Sequence, residues 1–147
     1  MFSMRSKYAL KALLHLAREK SRRPTLIADI ASAENIPRKF LEAILLALKN
    51  EGIVHSRKGK GGGYYLDHAP ESVKVGTVIR LFDGPMTSPA CTSQSMVRSC
   101  DACDSAGTCG LRVVMNELRE AITACLGGLT LATLISRTEP EGFDPGI

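Results

Sequence analysis

Residues 57–63 combine three cations with four glycines and lie between two short β-forming runs, 53–56 and 64–66. Short β-forming runs on either side of a glycine-rich segment predict a β-hairpin with the glycines at its tip. Because glycine lets one backbone approach another closely, this tip is expected to bring its charges close to a partner. The cations of the predicted tip are Arg57, Lys58 and Lys60.

Three helices are predicted before the hairpin. Apolar residues recur at helical spacing over 4–20, over 26–33 and in a third segment that starts near Pro37. Thr25 is expected to cap the second helix with its hydroxyl group. The turn that follows this helix contains Asn35, a residue type that tolerates a left-handed backbone.

The third helix is predicted to have one buried and one charged face. It is expected to end at Gly52, a suitable residue for a left-handed cap. Its charged residues at the exposed N-terminal end are Arg38, Lys39 and Glu42. The residues predicted to point inward are Phe40, Leu41, Ile44, Leu45 and Leu48.

A short helix, a three-residue turn, a longer helix and a basic hairpin, in this order, are typical of a winged helix-turn-helix. The fold is therefore predicted to be mainly α with a small β-hairpin. The third helix would enter the major groove of double-stranded DNA, where Glu42 can accept a hydrogen bond from a cytosine amine. The hairpin cations would mostly contact phosphates. The alternative is a winged helix that contacts proteins and has a merely solvated basic face.

The charge distribution supports a polyanionic partner for the first part of the chain. Residues 1–80 contain 15 Lys and Arg against 7 Asp and Glu, whereas residues 81–147 contain 4 against 8. The chain has no Trp and only 3 Tyr and 4 Phe, which argues against an aromatic groove for single strands. No apolar run reaches the length of about 18 residues expected of a membrane span, so a cytoplasmic protein without a membrane partner is predicted.

The chain is predicted to divide at residues 83, 110 and 135. Residues 1–83 form the DNA-binding domain, with a further helix over 73–82, and 84–110 form a cysteine-rich sensor loop. Residues 111–135 form a dimerisation region, because apolar residues recur along one side of a helix over 111–126. Residues 136–147, with two Pro and two Gly, are expected to be a disordered tail.

Four of the five cysteines fall in the predicted loop. A Cys-x-x-Cys pair lets two thiolates chelate one metal, and two further thiolates complete a tetrahedron. The same thiolates can hold zinc or an iron–sulfur cluster. The candidate metal ligands are Cys91, Cys100, Cys103 and Cys109.

The chain resembles the family of bacterial winged-helix regulators that includes IscR, NsrR and CymR (the Rrf family). The matching segments span most of residues 4–135. They are Tyr8-Ala9-Leu10, Leu26 with Ile30-Ala31, Ile36-Pro37 with Phe40-Leu41-Glu42, Ile44-Leu45 with Leu48, Gly52-Ile53-Val54 with Ser56, Gly59 with Gly61-Gly62-Gly63-Tyr64 and Leu66, and Thr130-Leu131-Ala132 with Leu134.

The resemblance implies a homodimeric winged-helix transcription factor whose long C-terminal helix crosses that of its partner. We expect it to act as a repressor, and its two-fold symmetry predicts a pseudo-palindromic operator. IscR-like members carry Arg before the first wing glycine, whereas this chain has Lys58 there and Arg57 one residue earlier. Lysine cannot reproduce the bidentate contacts of arginine, so a different operator is expected.

The resemblance also implies that an iron–sulfur cluster, [2Fe–2S] or [4Fe–4S], is held by three loop cysteines and a fourth ligand. The fourth-ligand positions of IscR-like and NsrR-like members are occupied here by Arg112 and Lys7. We therefore expect Cys100 to supply the missing ligand in an all-cysteine set.

Several alternatives stay open at this point. The loop can hold zinc in place of a cluster, or act as a thiol-redox switch, and Cys91 can be a bystander. A zinc-stabilised adaptor and a thiol oxidoreductase are also conceivable, but the oxidoreductase lacks a βαβ pattern and a residue placed to activate a thiol. We therefore expect no enzymatic activity. Cys125, on the apolar side of the last long helix, is expected to be a buried apolar residue.

Overall fold

The computed structural model of the protein describes residues 2–19, 21–85 and 109–138. These residues form six helices and one antiparallel pair of strands, which confirms the prediction of a mainly α fold with a small hairpin. The elements are α1 (Met4–Arg18), α2 (Ile27–Glu34), α3 (Arg38–Asn50), β1 (Val54–Arg57), β2 (Gly63–Leu66), α4 (Val75–Asp83), α5 (Gly110–Gly127) and α6 (Leu131–Thr138).

Helix α1 is the centre of the hydrophobic core. It packs against α2, α3, α4, α6 and β2, so its apolar residues meet neighbours on several sides. Burial of these side chains supplies the main driving force for the fold. The largest fully buried apolar side chains are Leu13, Ile30, Leu41, Ile44, Leu45, Leu48, Val54, Val78, Ile79 and Leu131.

The turn between α2 and α3 depends on Asn35, as predicted. Asn35 has a φ of 52° and a ψ of 51°, in the left-handed region. Its amide donates to the carbonyl oxygen of Ser32 at 3.4 Å, and the amide of Ile36 donates to that of Ala31 at 2.9 Å. Buried Ile36 then anchors the turn to the core, which fixes where α3 begins.

A second left-handed residue joins α3 to the hairpin. Gly52, with a φ of 73°, follows the last turn of α3, as predicted. Its amide donates to the carbonyl oxygen of Lys49, and the amide of Ile53 donates to that of Leu48, both at 3.0 Å. This paired cap ends the helix and starts β1 two residues later, so the hairpin has a defined direction relative to α3.

The predicted capping role of Thr25 is wrong. Leu26 is the N-cap residue of α2, and no side chain caps this helix. Thr25 instead pairs with Tyr64 of β2 through two backbone hydrogen bonds of 2.8 Å. Thr25 lies one residue before the N-cap position of α2. Its backbone serves as a one-residue third strand beside β2.

Two glycines give the hairpin its shape. A Cβ atom on Gly63 would lie 2.4 Å from the carbonyl oxygen of Thr25, and one on Gly62 would lie 2.3 Å from that of Arg57. Contacts this short exclude any side chain at either position. These close approaches of glycine backbone occur within the chain, at Thr25 and Arg57.

Phe40 does not point inward as predicted. It is 57% exposed, whereas Leu41 and Ile44 are fully buried. With 3.6 residues per turn, Phe40 falls beside the arc that the buried residues of α3 occupy. The apolar periodicity located the buried face but not its edge.

The first and last elements of the predicted DNA-binding domain are joined at Ser3. The amide of Ser3 donates to an Asp83 carboxylate oxygen at 3.1 Å, and its hydroxyl donates to the other oxygen. Desolvation acts to raise the pKa of Asp83, but the hydrogen bonds from Ser3 outweigh it and hold this pKa below its ordinary range. The N-terminus of α1 is thus tied to the C-terminus of α4.

Helix α5 has no buried residue among its 18. It contacts the rest of the chain mainly through α4, where Leu126 lies against Gly76. Helix α6 continues to Thr138, three residues beyond the predicted end of the dimerisation region at 135. Residues 139–147 of the predicted tail lie outside the described residues. Among the described helices, none has the length and apolar character needed to cross a bilayer.

We predict that Gly62→Ala lowers the melting temperature by several degrees and weakens DNA binding, because its Cβ atom would collide with backbone at Arg57. Thermal unfolding and DNA titration measure the two effects. Gly128→Ala is the matched control, since neither Gly62 nor Gly128 has a positive φ and no atom lies within 4 Å of the Cβ position of Gly128. If both variants behaved alike, close packing at Gly62 would not explain the glycine requirement.

Candidate DNA-binding surface

The solvent-facing side of α3 is a polar surface with one large apolar residue. Its side chains project away from the core, on the side opposite Leu41, Leu45 and Leu48. No described helix or strand covers this side. The exposed residues of this surface are Lys39, Glu42, Ala43, Leu46, Lys49 and Asn50. A helix with one uncovered polar face is suited to the major groove.

Two of the predicted DNA-contacting residues pair with each other. The Nε of Arg38 donates to a carboxylate oxygen of Glu42 at 3.2 Å, across one turn of α3. Both side chains are more than half exposed, so the pair adds little to stability. Its effect is on charge, because the guanidinium neutralises the carboxylate while leaving acceptor sites on it for a base.

Lys49 connects α3 to the hairpin. Its Nζ donates to the hydroxyl oxygen of Ser56 in β1 at 2.6 Å. The predicted set of contact residues did not include Lys49, although its place on the charged side of α3 was the available signal. The bond links the last turn of α3 to the strand that leads to the hairpin cations.

The hairpin holds its cations on a short turn. Arg57 pairs with Gly63 at the end of the ladder, and the amide of Gly62 donates to the carbonyl oxygen of Gly59 at 3.0 Å. Arg57, Lys58 and Lys60 are all exposed. All six residues predicted to contact DNA thus lie on α3 or on this wing, which we define as residues 57–63.

A cluster of titratable side chains lies at the base of the wing. The Nε2 of His55 lies 3.3 Å from a carboxylate oxygen of Asp67, and that of His68 lies 3.8 Å from the same oxygen. The ring of Tyr65 lies beside His55, with centroids 6.1 Å apart. His55 therefore has an acidic neighbour, which the sequence pattern did not reveal.

Of the predicted metal ligands, only Cys109 belongs to the described residues. Cys91, Cys100 and Cys103 lie outside them. Cys109 is half-buried at the N-cap position of α5, and its carbonyl oxygen accepts from the amide of Arg112 at 3.1 Å. Within residues 2–19, 21–85 and 109–138, no three His, Cys, Asp or Glu side chains are grouped to hold a metal.

A family model matches residues 2–137, nearly the whole chain, and is described as Rrf2, an iron-dependent transcriptional regulator. The chain belongs to the Rrf2 family. This confirms the resemblance drawn from the helix and wing motifs. The protein is therefore a DNA-binding transcriptional regulator rather than an enzyme.

Known proteins of the family align over most of this Rrf2 chain. It is 37% identical over 143 residues to an rrf2-like HTH-type regulator of Rhodobacter capsulatus, covering 95% of each chain. It is 30% identical over 135 residues to IscR of Erwinia tasmaniensis, covering 92% of this chain and 78% of IscR. The structure of CymR, the global cysteine regulator of B. subtilis, superposes with a TM-score of 0.76 at 29% identity. That superposition covers 95% of this chain and 98% of CymR.

We predict that Lys58→Ala and Lys60→Ala each weaken DNA binding on any sequence. Removal of one phosphate contact reduces the slope of log affinity against log salt concentration by about 0.9, so a substitution present in both protomers of a dimer should reduce it by about 1.8. Fluorescence anisotropy at several salt concentrations measures this slope. Lys74→Ala is the control, because Lys74 is also exposed but lies at the N-cap of α4, away from α3 and the wing. An unchanged slope in both wing variants would contradict phosphate contacts by the wing.

Proposed function

We propose that this Rrf2 regulator represses transcription as a homodimer on a pseudo-palindromic operator, and that the state of residues 91–109 sets its affinity. Each protomer places α3 in the major groove and the wing on the adjacent backbone. The observation that carries the proposal is the single surface that α3 and the wing form, linked by the Lys49–Ser56 hydrogen bond.

Charge supports this arrangement. The surface carries six cations and one carboxylate, and that carboxylate is neutralised by Arg38. The cations of the wing and Lys49 are suited to phosphates, which give affinity without sequence preference. Lys39 and Glu42 lie on the uncovered side of α3, where side chains can reach base edges.

The exposed apolar side of α5 is the observation that supports the proposed dimer. Its apolar side recurs at the spacing of a coiled-coil seam and is exposed in the single chain. The seam residues are Leu111, Val114, Leu118, Ala121 and Cys125. An exposed apolar stripe of this length is characteristic of an interface. Cys125, expected to be buried, is exposed in the single chain and would become buried only against a second copy of α5.

We predict that Leu118→Asp converts the protein to a monomer and abolishes tight operator binding, because the charge would lie in the middle of the seam. Light scattering coupled to size-exclusion chromatography measures the mass. Val113→Asp is the control, since Val113 is 56% exposed against 50% for Leu118 but lies on another side of α5. A Leu118→Asp dimer would contradict the proposed interface.

The chemistry of the cysteines fits an iron–sulfur cluster. Cys109 is the N-cap residue of α5, and a cysteine thiolate is the ligand type that holds iron–sulfur clusters. Lys7 and Arg112, at the positions of the family's fourth ligand, are cations and poor donors, which favours Cys100 as the fourth ligand. When bound, the cluster would supply a redox-active group, and its oxidation or loss would serve as the regulatory signal.

The described residues indicate how the cysteine segment can act on the DNA-binding surface. The predicted sensor loop, residues 84–110, follows Asp83, which is bonded to Ser3 at the N-terminus of α1, and it ends where α5 begins, with Cys109 as the N-cap residue. Helix α5 in turn leads to Leu129, whose carbonyl oxygen accepts from the amide of Val75 at 3.0 Å. Ordering of the segment would therefore bias the positions of α1, α4 and α5 together.

We predict that Cys100→Ser removes or weakens the bound cluster. Anaerobic purification followed by iron and sulfide analysis and a visible spectrum between about 320 and 460 nm measures this. Cys125→Ser is the control and should retain the cluster, because Cys125 lies on the seam of α5. Full metal content and an unchanged spectrum in Cys100→Ser would overturn the all-cysteine set.

A thiol-redox switch or a zinc site is the second candidate. The similarity to CymR, named a cysteine regulator, favours the thiol switch, and a CymR structure from Staphylococcus aureus is described as an oxidized form. Zinc with no iron or sulfide in the anaerobic sample would identify a zinc site. Metal-free protein that fails anaerobic reconstitution and has titratable thiols would identify the switch.

A further inference from the structure

We propose that Leu46 is a specificity-determining residue that contacts the C5-methyl group of a thymine in each operator half-site. The inference rests on the proposed docking of α3 in the major groove. It starts from one observation: Leu46 is 57% exposed in the middle of the uncovered polar face of α3.

The surroundings of Leu46 distinguish it from the apolar residues that stabilise the fold. Its sequence neighbour Leu45 is fully buried, and Leu46 is turned about 100° away from it around the helix. One turn before and one turn after it lie the exposed polar residues Glu42 and Asn50. Leu46 therefore contributes little to the core, and its apolar surface faces the same side as the base-reading residues.

The major groove offers one apolar group that such a side chain can recognise. Among the four base pairs, only those with thymine present a methyl group there, and apolar side chains are its usual contacts. A leucine side chain has no group that can form a hydrogen bond or ion pair with a phosphate or a base amine. Ala43, exposed and small beside Leu46, leaves room for α3 to approach the base edges closely.

The spacing along α3 places this thymine relative to Glu42. Four helical residues span about 6 Å, close to the rise of two base pairs. Glu42 accepts from Arg38 at 3.2 Å and keeps further acceptor sites that can receive a cytosine amine. The half-site is therefore expected to contain a thymine about two base pairs from the pair that Glu42 contacts.

The test starts with selection of duplexes from a random library by the wild-type protein. Each thymine of a selected half-site is then replaced by deoxyuridine, which removes only the methyl group, and affinity is measured by anisotropy. At one position in each half-site we expect about a fourfold loss for one methyl group. Leu46→Ala should bind the parent duplex more weakly and show no further loss with deoxyuridine.

Phe40→Ala is the matched control. Phe40 is also 57% exposed but lies on another side of α3, so its variant should keep the sensitivity to deoxyuridine. Thermal unfolding checks that Leu46→Ala stays folded, as expected for an exposed residue.

The outcomes separate the inference from the function on which it rests. Wild-type binding without sensitivity to deoxyuridine, or sensitivity that persists in Leu46→Ala, would overturn the role of Leu46 and leave the proposed function intact. Failure of the wild type to select any duplex would overturn both.

Discussion

The backbone pairing of Thr25 with Tyr64 is the contact on which the candidate DNA-binding surface depends. Two hydrogen bonds of 2.8 Å join Thr25, two residues before α2 begins, to the second residue of β2. The approach is possible because Gly63 has no side chain. The hairpin is thus attached to the helix-turn-helix at two places, through Thr25 and through the cap at Gly52. Without the first attachment, the two-stranded hairpin would be marginal by itself.

In the proposed docking, the wing would contribute affinity and α3 would contribute selectivity. The wing cations are exposed at the end of a short ladder and suit a phosphate backbone of any sequence. The groups that can distinguish bases lie on α3. The negative charge of Glu42 among them is compensated within the helix by Arg38. A carboxylate can therefore face a polyanion at low cost, because its charge is compensated one turn away.

The cysteine segment is bounded by two anchors. Asp83 at its start is bonded to α1, and Cys109 at its end begins α5, a helix without buried residues. A helix that is stabilised so little by its own chain depends on partners for its position. This makes α5 a suitable element to join a dimer contact to the state of the cysteines.

The sequence by itself determined the elements and most of the candidate site. Apolar periodicity, Asn35, Gly52 and the wing glycines placed the helices, the turn and the hairpin, because each records a local backbone or burial requirement. The charges of Arg38, Lys39, Glu42 and the wing were identified in the same way.

Only the tertiary structure decided which of these groups meet. Thr25 serves as a strand rather than a cap because Tyr64 lies beside it, 39 residues along the chain. Phe40 is exposed because none of the described elements covers its side of α3, and Lys49 donates to Ser56 of the next element. Local propensity cannot specify such pairings, since they depend on how the packed elements are placed around α1.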